Sequence, residues 1–424
     1  MNCNDELLNL LNCAMDSKDV ARIFGWIDEQ IAIQLDEILH HESFQQLEAI
    51  WRGTEILTGA GVQNNNVKVE LLQCTLSELA EDLRESPSLI HLPLYQHIYE
   101  DEFDMPGGEP YAALVGAWAF SGFSFELDVL KMLANVASVA HCPFIGGVHA
   151  AFFGKKSMTD VISVEDIQHT FARAEYSTWR SFRTLEVAKY ICLVLPRILL
   201  RNPWDIRGKS GVFQYVERIF PNSDRAFLWG NSAFAMAANL VQNFIATGWC
   251  MNIIDQSVSL PRFTCGQRGL AWVDGFVPCS RAQEFSAQGF NAFCLNEKDR
   301  FMYFPCQSSL HASDASLPYV FLASRMVHYL KVLQRDGLGL VHNERVLQKE
   351  LNEWLQGLVT RMEHPEPSLA AHHPFRYAQA IVSADENSAE HVCIEVRLEP
   401  HGWVENFAPC VARFGGIPCS RKEE

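Results

Sequence analysis

The sequence predicts an α+β protein, a helix-rich mixed body with strands near both termini. Three observations predict it. Apolar residues recur at helical spacing in the first sixty residues and through the middle of the chain. Two segments near the C-terminus alternate apolar and polar residues, and a shorter strand-like run lies at residues 67–72.

The elements follow in order. Residues 26–39 carry Ile27, Ile31, Leu35 and Ile38 on one helical face, with Asp28, Glu29, Asp36 and Glu37 off it. A second helix over 44–57 uses Leu47, Ile50 and Trp51 as its apolar face. The turn-rich GAGVQNNN then leads to the strand at 67–72 and a helix at 76–83. Residues 125–140, with Leu130, Leu133, Val136 and Ala137, predict a helix stopped by Pro143. Ser163 and Asp166 are short side chains suited to capping a helix towards Phe171. A largely apolar stretch through Trp179, Phe182 and Tyr190 to Leu200 reads as one long helical region, and 227–248 as a buried helix. Between 260 and 304 Gly and Pro recur, which predicts strands and loops. Helices follow at 317–333 and 341–362, parted by Gly337 and Gly339; the second aligns Leu347, Leu351, Trp354, Leu355, Leu358 and Met362. Residues 377–384 and 391–399 alternate about the polar DENSAE and predict a hairpin. Val382, Val392, Ile394 and Val396 lie on its apolar positions and are the candidate assembly residues. The expected regions are 1–64 (N-terminal, helical), 65–370 (mixed α/β core) and 371–424 (C-terminal hairpin and tail, for assembly).

Composition narrows the function. At 424 residues, 48% hydrophobic and 20% charged, the chain has core enough for roughly two to three domains. No apolar run reaches the ~18 residues of a membrane span, and no basic region precedes the first apolar cluster, so neither a membrane partner nor a secretory signal is expected. A net charge of −17 argues against nucleic acid, which needs a basic surface. Thirteen Cys without paired spacings fit reduced thiols in a cytoplasm.

The search for chemistry is negative. Gly208-Lys209-Ser210 ends like a phosphate-binding loop, but Pro203 stands where its first Gly belongs. G-x-G-x-x-G, C-x-x-C, H-E-x-x-H and G-x-S-x-G are all absent. No catalytic, cofactor-binding or metal-ligating residue is predicted. An enzyme assembled from scattered Cys and His would lack any local signature. The 27 Phe, 10 Trp and 10 Tyr exceed what chemistry explains, and they suit a packed core with some aromatics at subunit interfaces.

Residues 39–53 read LHHESFQQLEAIWRG, bringing together His40, His41, Phe44, Trp51, Arg52 and Gly53. This resembles the signature of the type VI secretion contractile sheath large subunit, the TssC/VipB (EvpB/ImpC) family. Further resemblances run collinearly: Pro106-Gly107-Gly108-Glu109-Pro110, Ala140-His141-Cys142-Pro143-Phe144, Trp179 with Phe182 and Arg183, Leu228-Trp229-Gly230-Asn231, and Gly248-Trp249. Arg325 with His328-Tyr329-Leu330-Lys331, and Leu351-Asn352 with Trp354-Leu355, continue the series. Together they cover nearly all of the chain from about Asp28. Ala117 replaces the Asp of the family's Gly-Asp step, DQSVS replaces its Gly-Gly hairpin, and the GGIPCSRKEE end is unlike its tail.

The resemblance implies a contractile sheath fold whose terminal strands are shared with neighbouring subunits. It implies a non-enzymatic, cytoplasmic subunit that pairs with a small sheath subunit (TssB/VipA-like). The pair would polymerise with other copies as a helical sleeve around the inner tube protein Hcp. The family's ClpV recycling ATPase recognises a helix upstream of the His-His pair. Here 39 residues precede His40, with one apolar cluster at 7–11 before Trp26, so the expectation is that the linker strand, the recognition helix or both are missing. The alternative is a divergent paralogue that binds the small subunit as a regulator or cap without polymerising.

Overall fold

Helix α1 spans Ser17–Leu39 and α2 spans Glu42–Gly61 in the computed structural model. It describes residues 17–61, 66–206, 213–219, 227–250, 253, 273–296, 301–303, 308–310, 316–336, 344–362, 365–385, 388–401 and 410–418. The apolar cluster at 7–11 lies outside them. His40 and His41 make the joint between the two helices: the His40 N–H still donates to the Asp36 carbonyl (2.9 Å), and the His41 carbonyl accepts from Gln45 (2.9 Å).

The strand expected at 67–72 is extended chain without a ladder. No strand pairs with it among the described residues, and Leu71 and Leu72 face solvent. Alternation suits a pleat, but a strand exists only when a neighbour takes its backbone groups. Helix α3 (Leu76–Glu85) follows, opened by a capping box: Thr75 Oγ1 accepts from the Glu78 N–H (3.2 Å) and the Glu78 carboxylate from the Thr75 N–H (2.7 Å). A π-helical segment, Gln96–Asp104, buries Ile98 and Phe103.

The middle of the chain is built on a parallel sheet absent from the sequence-based expectation. Its strands are β1 (Leu114–Phe120), β2 (Phe144–Val148), β3 (Ile191–Leu195) and, after a long excursion, Phe290–Ala292, in that spatial order. Helix α4 (Ser124–Val139) crosses from β1 to β2. Asp166 caps Ile167–Ala172 as expected, accepting from the His169 N–H (2.7 Å). Ser163 instead ends the preceding helical turn. The region expected to be one helix to Leu200 divides: α5 (Ser177–Arg183), a 3₁₀ turn (Glu186–Tyr190), then β3. Strand β3 is buried at every position, and a strand covered on both faces shows a continuous apolar run that periodicity cannot tell from a buried helix.

Strands β4 (Ile198–Leu199) and β5 (Trp229–Gly230) pair antiparallel. The segment 227–248 therefore begins as strand, then becomes α6 (Ala233–Thr247), ended by Gly248 at φ +79°, a left-handed cap that favours glycine. In the irregular region lie β6 (Val277–Pro278), α7 (Cys279–Ala287), β7 (Phe290–Ala292, the fourth strand of the parallel sheet), β8 (Cys294–Asn296) and β9 (Phe301–Tyr303); β6, β8 and β9 form a small sheet. Helices α8 (Leu317–Asp336) and α9 (Glu344–Gln356) precede β10 (Phe375–Asp385), β11 (Ser388–Pro400) and β12 (Cys410–Pro418). The expected hairpin is β10–β11; β12 extends it to a three-stranded antiparallel sheet.

The chain resolves into two compact units. One comprises 1–55, 198–230 and 259–274; the other holds the remainder. The second unit's core joins the parallel sheet to α4 and an aromatic cluster in which Trp179 stacks on Phe290 (5.1 Å) and meets Phe152 edge-on (5.3 Å). Each such buried side chain contributes about 1.5–3 kcal/mol. The fold is α+β.

Candidate assembly site

The C-terminal sheet is held by one face. Ala378, Ala380, Val382, Ile394, Val396 and Leu398 are buried with Leu351 and Leu355 of α9, Leu322, Met326 and Leu330 of α8, and Trp249. Of the candidate assembly residues, Val382 pairs in register with Ile394, Ala380 with Val396, and Val392 with Ala384. Val382, Ile394 and Val396 therefore share the inward face. Trp249 meets Phe375 (6.3 Å) and Tyr329 (6.2 Å) edge-on and closes the floor beneath β10.

Along the outer side of β10 the partners are side chains and loop backbone. The Ala380 N–H donates to Asn352 Oδ1 (3.0 Å) and its carbonyl accepts from Asn352 Nδ2 (2.8 Å). The Val382 N–H donates to Gln348 Oε1 (3.0 Å), and Gln356 Nε2 donates to the Ala378 carbonyl (3.3 Å). Phe375 bonds backbone to backbone with Leu358 (3.3 Å) and Thr360 (3.0 Å). Sequence reading placed Leu347, Leu351, Trp354 and Leu355 of α9 on the packed face, but the helix ends at Gln356, leaving Leu358 beyond it and Met362 exposed. It also missed this amide row, whose signal was Gln, Asn and Gln at intervals of four.

The His-His motif builds a buried ion network in the first unit. Arg201 forks onto Glu217 (2.6 and 3.2 Å) and also donates through Nε to Glu48 (2.8 Å), which Arg52 holds as well (2.7 Å). His40 Nε2 lies 3.1 Å from Glu217, and the Trp204 N–H donates to the same carboxylate (2.9 Å). Burial pushes the Glu217 carboxyl up, but the Arg201, Trp204 and His40 contacts outweigh it, leaving its pKa lowered. One turn earlier, Asp36 accepts from the Tyr215 hydroxyl (2.7 Å), whose pKa is raised by burial and by that carboxylate. Gly53 is buried, whereas His41 is exposed at the helix joint.

The apolar face of α2 turns to solvent. Phe44, Leu47, Ile50 and Trp51 are exposed, Trp51 by 61%, as are Phe24, Ile31 and Ile38 of α1. Within the chain the polar side of α2 is the inward one, because Glu48 and Arg52 are the residues with partners to meet.

The other motif residues hold turns and joints. Gly107 sits at φ +86°, and a Cβ on Gly108 would strike the carbonyl oxygens of Asp101 (2.5 Å) and Glu102 (2.6 Å). Arg335, at the end of α8, donates to the Glu102 (2.9 Å), Phe103 (3.1 Å) and Gly108 carbonyls, satisfying the end of the π-helical segment. Gly230 pairs with Ile198 across β4–β5 and Trp229 with Leu199, and a side chain on Gly230 would collide with Leu200. Asn231 clamps the irregularity in β1: Nδ2 donates to the Gly116 (3.1 Å) and Trp118 (2.8 Å) carbonyls, and Oδ1 accepts from Ala233 (2.9 Å). Asn231→Ala should lower unfolding stability by about 2–3 kcal/mol, since it leaves these groups without partners. Denaturant titration would show it. Asn231→Asp should be no milder, because it turns an oxygen towards the two carbonyls.

Among the described residues no cluster of three His, Cys, Asp or Glu is placed to hold a metal, and no helix is long and apolar enough to cross a membrane. Burial raises the thiol pKa of Cys142 and Cys192, and pushes Cys250 up to about 12, so none of the three carries an available thiolate near neutral pH.

Residues 21–311 match the family described as EvpB/VC_A0108, tail sheath N-terminal domain, and 307–410 match EvpB/VC_A0108, tail sheath gpW/gp25-like domain. The type VI secretion system sheath protein TssC1 of Pseudomonas aeruginosa is 27% identical over 436 aligned residues, covering 96% of this chain and 87% of that protein. Among solved structures, the anti-feeding prophage baseplate aligns with a TM-score of 0.37 at 11% identity, over 85% of this chain and 81% of that one. The contracted PVC sheath complex of an extracellular contractile injection system aligns at 0.30 and 8%, over 68% and 65%. With both family models together reaching from residue 21 to 410, the chain belongs to the EvpB/VC_A0108 tail sheath family, the large sheath subunits of type VI secretion systems.

Proposed function

We propose that this sheath protein pairs with a small sheath subunit and polymerises as a helical sleeve around an Hcp inner tube in the cytoplasm. In this reading residues 1–64 form the docking region, 65–370 the sheath body and 371–424 the assembly region. Val382, Ile394 and Val396 keep the C-terminal sheet seated while its strands, with Val392 on the same assembly element, are shared between subunits. Shared strands suit a contractile polymer, because backbone pairing links chains while their bodies move.

The observation that carries the pairing is the uncovered apolar side of the first two helices. Phe44, Leu47 and Trp51 lie at i, i+3 and i+7, and Phe24, Ile31 and Ile38 at intervals of seven, so each helix turns one row of large apolar side chains to solvent. Such rows mark contacts with another protein. Leu47→Glu/Trp51→Glu should abolish co-purification with the small subunit while the far-ultraviolet circular dichroism stays unchanged, because neither side chain is buried in the fold. Undiminished co-purification would refute the docking assignment. Electron microscopy of the co-expressed pair tests polymerisation: sleeves support it, and discrete complexes that never elongate would favour a capping or regulatory role.

A further inference from the structure

The amide row on α9 has a geometry that goes beyond anchoring a helix. Gln348, Asn352 and Gln356 are spaced four residues apart, a rise of about 6 Å per step along an α-helix. Their partners Val382, Ala380 and Ala378 are spaced two apart, about 6.7 Å per step along a strand. The two repeats nearly coincide and run in opposite directions, so each amide meets the next outward-facing backbone position of β10 in turn. Asn352 presents a donor and an acceptor to one residue, as a neighbouring strand would. Beyond Ala378, the Leu358 and Thr360 backbone completes the row at Phe375.

An edge strand with free N–H and C=O groups is a template for any extended chain. The C-terminal sheet has two edges, β10 and β12, since its order is β10-β11-β12. On β10 the Val382 N–H, both Ala380 groups, the Ala378 carbonyl and both Phe375 groups, which a foreign strand would use, are already occupied from within the chain. We infer that Gln348, Asn352 and Gln356 form an edge guard: the α9 amides stand in for a neighbouring strand and close β10 to strand addition.

The guard refines the shared-sheet reading above, by excluding one of the two edges, but it is a property of the single chain and is tested without the small subunit's pairing surface. The guard depends on hydrogen bonds rather than bulk, since the apolar residues Leu351 and Leu355 seat α9 separately. Removing the amides therefore opens the edge while leaving the helix in place.

The test is hydrogen exchange on the full chain, in whatever assembly it purifies. In the parent, the Ala380 and Val382 amides should exchange as slowly as those of the inner strand β11. Asn352→Leu keeps the side-chain volume and should speed Ala380 by about tenfold or more while Val382 stays slow. General loosening would speed both and would overturn the assignment. The triple variant Gln348→Ala/Asn352→Ala/Gln356→Ala should release both amides and, unlike the parent, bind a synthetic peptide of residues 375–385. Parent amides that already exchange fast, or a triple variant that takes up no peptide, would overturn the guard. Loss of sheath formation with slow Ala380 and Val382 amides would instead count against the shared-sheet reading alone.

Discussion

Arg201→Met should destabilise the first unit by about 3–5 kcal/mol, the scale of breaking a buried ion pair. The Arg201 side chain is 6% exposed and Glu217 only 2%, so removing the cation strands a carboxylate where water cannot replace it. His40 and the Trp204 N–H would remain as partners for Glu217, and Glu48 would keep Arg52. The lost group is the one that joins the two carboxylates. Arg201→Met/Glu217→Gln should be milder than Arg201→Met alone, because the neutral amide needs no cation and still offers an oxygen to Trp204. Hydrogen exchange of the α1 and α2 amides reads the effect within this unit. A single variant that exchanges like the parent, or a double variant worse than the single, would show that the network does not hold the helices.

Acid should weaken the second unit between pH 6.5 and about 4. Burial lowers the His141 pKa to about 4, helped by nearby Lys189, and burial lowers that of His328 to about 4 despite its bond to the Ala140 carbonyl (2.9 Å). His328 Nδ1 has no hydrogen-bond partner among the described residues, so a proton there would sit unsolvated beside Phe103. His141 Nδ1 is 3.0 Å from the Tyr190 hydroxyl, which suits the neutral ring. The sign follows from proton counting: below pH 6.5 the unfolded chain takes up protons that the folded chain refuses, so stability is full above 6.5 and falls as pH drops towards the folded value. One such histidine represents about 3 kcal/mol across that window. The two share an environment, so their contributions do not simply add. Thermal unfolding at pH 7, 6, 5 and 4.5 should show the loss, and His328→Gln should flatten it by roughly half. An unchanged slope in that variant would remove His328 from the account.

Much of the candidate site was legible residue by residue, and the exceptions share a cause. The β10–β11 hairpin was readable because alternation over 377–384 and 391–399 states both the pleat and the buried face. Strand β12 was not, since CVARFGGIP carries two glycines and a proline and alternates poorly. The apolar row on α2 was found, but its direction was not. Helical periodicity identifies a face without saying what lies opposite. Here Arg201, 153 residues beyond Glu48, draws the polar side in.

By itself the sequence determined what is local. Helices α3, α4, α8 and α9, the Asp166 cap and the Gly248 stop depend on interactions a few residues apart, and the collinear motifs pointed to the sheath family. Only the tertiary structure decided which elements meet. The order β1-β2-β3-β7 joins strands up to 176 positions apart from Leu114 to Phe290. The stretch Ile191–Leu195 became a strand because parallel neighbours on both sides could take its backbone groups. Residues 67–72, with equal strand character, stayed extended because no strand among the described residues lies beside them. Hydrogen-bond partners for a strand, and counter-charges for a buried carboxylate, are supplied by the path of the whole chain, and a window of neighbouring residues does not contain that path.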